Sequence, residues 1–196
     1  MKNVNSIDEL IKRFEELVLE ESNLIRNGSI VALKHVATGK YLSSTKNLCY
    51  TTGSKTQLVF AGSPEPVPNS LWKIEFDDEL AAYTDNSIVL QHVKSEIFLG
   101  MYCVNTGYGY DYCKSPLNNY TEVSCYGYLK SNDIINLNIK KSYDNRGYTI
   151  RHGQVEVLRS HDIQFTIEND AFQEVVCHNA RLGGNDEWCI ELIHES

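Results

Sequence analysis

A hairpin-like stretch recurs three times along this chain, and a threefold repeat restricts the fold more than any single residue does. Gly28 to Ser44 reads GSIVALKHVATGKYLSS. Ser87 to Met101 reads SIVLQHVKSEIFLGM, and Tyr148 to His161 reads YTIRHGQVEVLRSH. Each copy has a His at the end of a first strand (His35, His92, His152) and a Leu a few residues later (Leu42, Leu99, Leu158). Thr38-Gly39 reads as the tight turn of the first copy.

Further strands follow each hairpin with apolar and polar residues in alternation, the period of a half-buried strand. Trp72 to Phe76, Ile135 to Ile139 and Trp188 to Leu192 read as the fourth strand of each repeat. Leu58 to Gly62, Val123 to Gly127 and Val175 to Asn179 read as the third. The unit is then four strands in ~50–60 residues, and three units make twelve strands. An open sheet of that size would expose edges, whereas closure removes them. A propeller usually needs four or more blades. The expectation is an all-β fold, a β-trefoil of three four-stranded repeats over residues 28–196.

Residues 1–27 have a different period. Ile7, Leu10, Ile11, Phe14, Leu17 and Val18 recur at steps of three and four, which predicts one amphipathic α-helix. Ser6 and Glu9 have capping-box spacing, and a stop falls between Asn23 and Gly28. A lone helix cannot stabilise its own apolar stripe. The stripe is expected to dock on the β-body, or else on a second chain, as in a homodimer, or on a partner.

With a net charge of −8 and no basic run longer than Lys140-Lys141, nucleic acid is not an expected partner. No apolar stretch is long enough to span a membrane, and residues 1–14 lack a signal-peptide pattern. A cytoplasmic location is the expectation. The six cysteines form no C-x-x-C pair, so neither zinc nor any other metal is expected.

The segment Val31-x-Leu33-x-His35-x-x-Thr38-Gly39-x-Tyr41-Leu42, with a weaker copy ending at Phe98-Leu99, resembles the MIR domain. That family is named for protein O-mannosyltransferases, inositol-trisphosphate receptors and ryanodine receptors. The resemblance covers Gly28 to about Ile193 and leaves the helix outside. It implies a β-trefoil with Leu33, Leu42, Leu99 and Leu158 in the core. It also implies a module that binds ligands or partners beside enzymes and channels. Phosphate binding does not carry over, because Lys34, Lys40 and Lys46 are scattered. The pattern says more about fold than about function.

Catalysis finds little to work with. The motif histidines recur by architecture, as structural residues do, and each can bond the adjoining turn. Cys177 and Cys125 align with Phe60 and read as small buried hydrophobes. Paired carboxylates, phosphate loops and nucleophile elbows are all missing. There is no Gln-x-Trp repeat of the ricin-type lectins, and Trp72 and Trp188 read as core. No catalytic residue and no cofactor is expected.

The repeats differ most in their loops, where binding residues usually sit. One loop is rich in proline (Pro64, Pro66, Pro68). Tyr102 to Asn119 holds Tyr102, Tyr108, Tyr110, Asp111 and Tyr112, which form the predicted ligand-binding set. Tyrosines give apolar contact with a hydrogen-bonding tip, which suits a protein partner or a glycan alike. The expected function is a non-catalytic binding or interaction module. The alternatives are an accessory domain of a glycosyltransferase or chaperone system, and a carbohydrate-binding lectin.

Overall fold

The computed structural model describes residues 7–51, 56–76, 78–80, 87–101, 111–112, 115–118, 128–140, 155–179 and 183–195. One helix, α1 (Ile7–Ser22), precedes a body of strands. The strands are β1 (Ile30–His35), β2 (Leu42–Cys49), β3 (Gln57–Ala61), β4 (Trp72–Glu75), β5 (Ser87–His92), β6 (Gly100–Met101) and β7 (Asp111–Tyr112). They continue with β8 (Ser115–Asn118), β9 (Asp133–Lys140), β10 (Val155–Ile167), β11 (Asp170–Asn179) and β12 (Glu187–His194). A 3₁₀ turn stands just before β4 (Pro68–Ser70) and another just before β12 (Gly184–Asp186).

Antiparallel ladders link β12 to β1, β1 to β4, β4 to β5, β5 to β8, β8 to β9, and β9 back to β12. Six strands thus close a ring, and the ring has no open edge to protect. From β9 a second run continues through β10, β11 and β3 to β2. Within the ring the apolar residues alternate with polar ones. Val31, Leu33, Ile74, Ile88, Leu90, Ile135, Leu137 and Ile190 are buried together with Trp72 and Trp188. Leu42, Leu99 and Leu158 are buried too, as the repeat predicts.

The β9 strand corrects the sequence reading. Ile135 to Ile139 reads as the fourth strand of the second repeat, yet it pairs as the first strand of the third. Ile135 faces Trp188 of β12 as Val31 faces Trp72 of β4. The approach to each strand matches as well. The Arg26 N–H donates to Ser29 Oγ and the Lys130 N–H donates to Asp133 Oδ2. Gly28 (φ 88°) and Asn132 (φ 73°) make the same left-handed turn. An I-x-L-x-I pattern fits a first and a fourth strand equally, so alternation cannot separate them. The His that marks the first strand elsewhere is Ile139 here. Tyr148 to His152, expected in this role, lies outside the described residues, as does Val123 to Gly127.

Cys177 is also re-registered. It faces Leu158 as Ala61 faces Leu42, so its counterpart is Ala61 and not Phe60. It is half-buried against the core.

The helix stops at Ser22, and the chain enters the body at once. Leu24 bridges to Lys130 and Arg26 bridges to Leu80. Ile25 is fully buried, beside Leu129. Residues 23–27, grouped with the helix by sequence, therefore pack with the strands.

Candidate functional site

Two partly buried polar chains repeat in the body. In the first, Gln57 Nε2 donates to Ser44 Oγ (2.6 Å) and to Ser95 Oγ (2.9 Å). Ser95 Oγ lies 2.7 Å from His92 Nδ1, and His92 Nε2 donates to the Asn69 carbonyl (3.1 Å). In the second, Gln173 Nε2 reaches Ser160 Oγ (2.9 Å) and Thr38 Oγ1 (3.5 Å). Thr38 Oγ1 lies 2.9 Å from His35 Nδ1, and His35 Nε2 donates to the Asn185 carbonyl (2.9 Å). Each His ring also leans on a tryptophan, His92 on Trp72 (5.1 Å) and His35 on Trp188 (4.9 Å). Each indole N–H donates to the carbonyl of the second-strand leucine, Leu42 or Leu158.

These chains tie one repeat to the next. The His belongs to one hairpin, while the carbonyl it bonds belongs to the 3₁₀ turn before another unit's last strand. The sequence predicts a bond from each histidine to its adjoining turn. In fact the turn supplies a hydroxyl, and the carbonyl comes from a distant loop. The proline-rich loop at 62–69 runs into the first of these 3₁₀ turns, and Gly183 leads into the second. The signal for Gln57 and Gln173 was present in the sequence, since Leu42-x-Ser44 and Leu158-x-Ser160 stand at matching positions before them.

Burial lowers the pKa of both His35 and His92, more than their carbonyl bonds raise it. Both rings are therefore neutral at pH 7, with both nitrogens engaged. Such a ring is anchored, and its nitrogens have no free position for a substrate proton.

The turn before β12 carries an ion pair as well. Asp186 is fully buried and accepts from Arg159 Nε (2.6 Å), Arg159 Nη2 (2.8 Å) and the Gly183 N–H (2.8 Å). At the matching position Ser70 accepts from the Val67 N–H instead (2.9 Å). Tyr41, itself buried, donates to Glu191 Oε2 (2.7 Å), with Lys34 Nζ 5.5 Å from its ring. Burial and that carboxylate push the Tyr41 pKa up.

Of the predicted ligand set, Tyr102, Tyr108 and Tyr110 lie outside the described residues. Asp111 and Tyr112 form β7, paired with Met101 and Gly100 of β6. A short ribbon thus stands at the base of that loop. Among the described residues, no group of three metal-ligating side chains is assembled, and no helix is long and apolar enough to cross a membrane.

Among the described residues, α1 carries a long exposed apolar stripe. Ile7, Leu10, Ile11, Phe14, Leu17 and Val18 are each between 50% and 76% exposed. Docking of this stripe on its own body, the sequence expectation, does not occur. The body takes Ile25 into its core and leaves the six preceding side chains outside.

Solved structures share this architecture. The chain is similar to the SDF2-like protein from Arabidopsis thaliana, with 23% identity and a TM-score of 0.53 over 85% of this chain and 94% of that one. It is similar to the S. cerevisiae protein O-mannosyltransferase Pmt1-Pmt2 complex bound to the sugar donor, with 21% identity and a TM-score of 0.52. That match covers 86% of this chain and 26% of the other. A Caenorhabditis elegans protein with unknown function matches at 20% identity and a TM-score of 0.52, over 88% and 98% of the two chains. No protein-family model and no curated protein matches the chain. At such identities the likeness is one of fold.

Proposed function

We propose that this chain is a MIR-type β-trefoil that acts as a non-catalytic interaction module, presenting the apolar face of α1 to a protein partner. The observation that carries the proposal is the stripe of six large apolar side chains left exposed beside a closed body. A contiguous apolar patch of that kind marks an interaction surface. The repeated His–Gln–Trp chains support the trefoil reading, because among the described residues they join successive units in the same way at two junctions. They also support a non-enzymatic role, since the ring nitrogens are used in holding loops.

A second reading is favoured by one neighbour. A fold shared with part of a protein O-mannosyltransferase complex suits an accessory module in glycosyl transfer. On that reading the Tyr102 to Tyr112 loop contacts a glycan.

Site-specific photo-crosslinking separates the two. A photoreactive residue at Phe14 of the full chain should link to one protein, and the same probe at Glu15, off the stripe, should not. A glycan array should stay blank. Crosslinks independent of the face, or turnover of a glycosyl substrate by the purified chain, would refute the proposal.

A further inference from the structure

We infer that the α1 stripe docks a basic amphipathic helix of the partner, an inference that rests on the interaction reading above. Spacing speaks first. Ile7, Leu10, Phe14 and Leu17 follow one another at steps of three, four and three, the seam of a helix that pairs with another helix. Ile11 and Val18 widen the seam on one side. Sixteen residues give a face about 24 Å long, the length of a typical helix-in-groove contact. The exposed stripe amounts to on the order of 500 Å², near the upper limit for a monomer's largest patch. Covering it with a helix buries on the order of 1,000 Å² in total, the lower bound of a specific interface.

Charge decides which helix. The α1 segment carries Asp8, Glu9, Glu15, Glu16, Glu20 and Glu21 against only Lys12 and Arg13. Arg13 already sits 3.7 Å from Glu9. The last turn, the negative end of the helix dipole, carries acids and no base. Arg26, from beyond the helix, approaches Glu21, at 3.8 Å. A second copy would bring the same acidic helix on a chain of net charge −8, so like charges would flank the seam. An anionic membrane surface is repelled for the same reason. A helix with Lys or Arg beside its apolar seam satisfies the stripe, the flanks and the dipole together.

The test uses the full chain and two synthetic 21-residue peptides, both with Leu at the seam positions. One carries Lys at the flanking positions and the other carries Glu. Titration calorimetry should show the Lys peptide binding at least tenfold more tightly, with the gap narrowing as salt rises. The variant Leu10→Asp/Phe14→Asp should lose that binding while keeping the unfolding midpoint of the parent. Equal binding of both peptides would overturn the charge inference and leave the interaction reading standing. Binding of neither would overturn helix docking, while the crosslinks from Phe14 still judge the broader reading. Light scattering that shows a dimer, converted to monomer by the same two substitutions, would assign the stripe to a second copy and overturn the inference.

Discussion

Replacing Asp186 by Ser tests the repeat and its energetics together. Asp186 is fully buried, and the Arg159 side chain is only 13% exposed. Three donors converge on its carboxylate: two from the guanidinium and one from Gly183. Asp186→Ser removes the counter-charge and leaves a guanidinium with almost no water. Breaking one side of a buried pair costs about 3–5 kcal/mol, a large part of a typical total of about 5–15 kcal/mol. The new hydroxyl still caps Gly183, as Ser70 caps Val67, so the loss is that of the two charge-assisted bonds from Arg159. Arg159→Ser then places at this site the residue that copy one has there, Ser43. The double variant should therefore recover to within about 1–2 kcal/mol of the parent, because no buried charge remains. Urea unfolding followed by tryptophan fluorescence reads this directly. With a slope of about 2 kcal/mol per molar, the single variant should lower the midpoint by about 1.5–2.5 M. A shift under about 0.5 M, or a double variant worse than the single, would refute the reasoning.

Three further outcomes follow from the repeat. Gly39 (φ 69°) and Glu96 (φ 59°) occupy the same turn position, each donating its N–H to the carbonyl of the preceding His at 2.8 Å. Glu96→Gly should stabilise by about 0.5–1 kcal/mol, and Gly39→Ala should cost about 1–2 kcal/mol, as left-handed backbone strain dictates; thermal unfolding measures both. The depressed pKa values of His35 and His92 mean that the unfolded chain takes up protons first. Their contribution to stability is then complete above about pH 7 and falls as pH drops below about 6.5, by at most ~1.4 kcal/mol per pH unit for each ring. His92→Gln should flatten the stability profile between pH 7 and 5.5, and an unchanged slope would count against burial of the neutral ring. Trp72→Phe and Trp188→Phe each remove an indole bond to a buried leucine carbonyl, at 2.9 and 3.1 Å. Each should cost about 2 kcal/mol in chemical denaturation, and the two should agree to within about 0.5 kcal/mol.

Period and punctuation were legible in this sequence. The strand alternation of Trp72 to Phe76 and Trp188 to Leu192, the turn at Thr38-Gly39 and the helix from Ile7 all emerge from local physics. Chain register across the third repeat did not. Ile139 stands where the first two copies have His, and His152 offers a false marker further on, so the first strand was placed too late. Pairing is a non-local fact, and only the partner strand β12 reveals it. The anchoring glutamines carry a sequence signal in their matched spacing from Ser44 and Ser160, but their partners do not, because Gln173 and Thr38 meet from opposite ends of the sequence. The proposed interaction surface was half legible. The apolar stripe of α1 was plain, but its exposure depended on the body already being filled, with Ile25 and Leu129 in the core.

Hydrogen exchange on the full chain tests most directly whether the α1 face is free for a partner. A helix of sixteen residues without tertiary support is marginal in water. The account predicts α1 amides that exchange within about a hundredfold of the unstructured rate, beside β1, β4 and β12 amides protected by on the order of 10⁴ or more. Protection of α1 equal to that of β12 in the free monomer would mean that the stripe is already packed, and the interaction surface would have to be sought elsewhere.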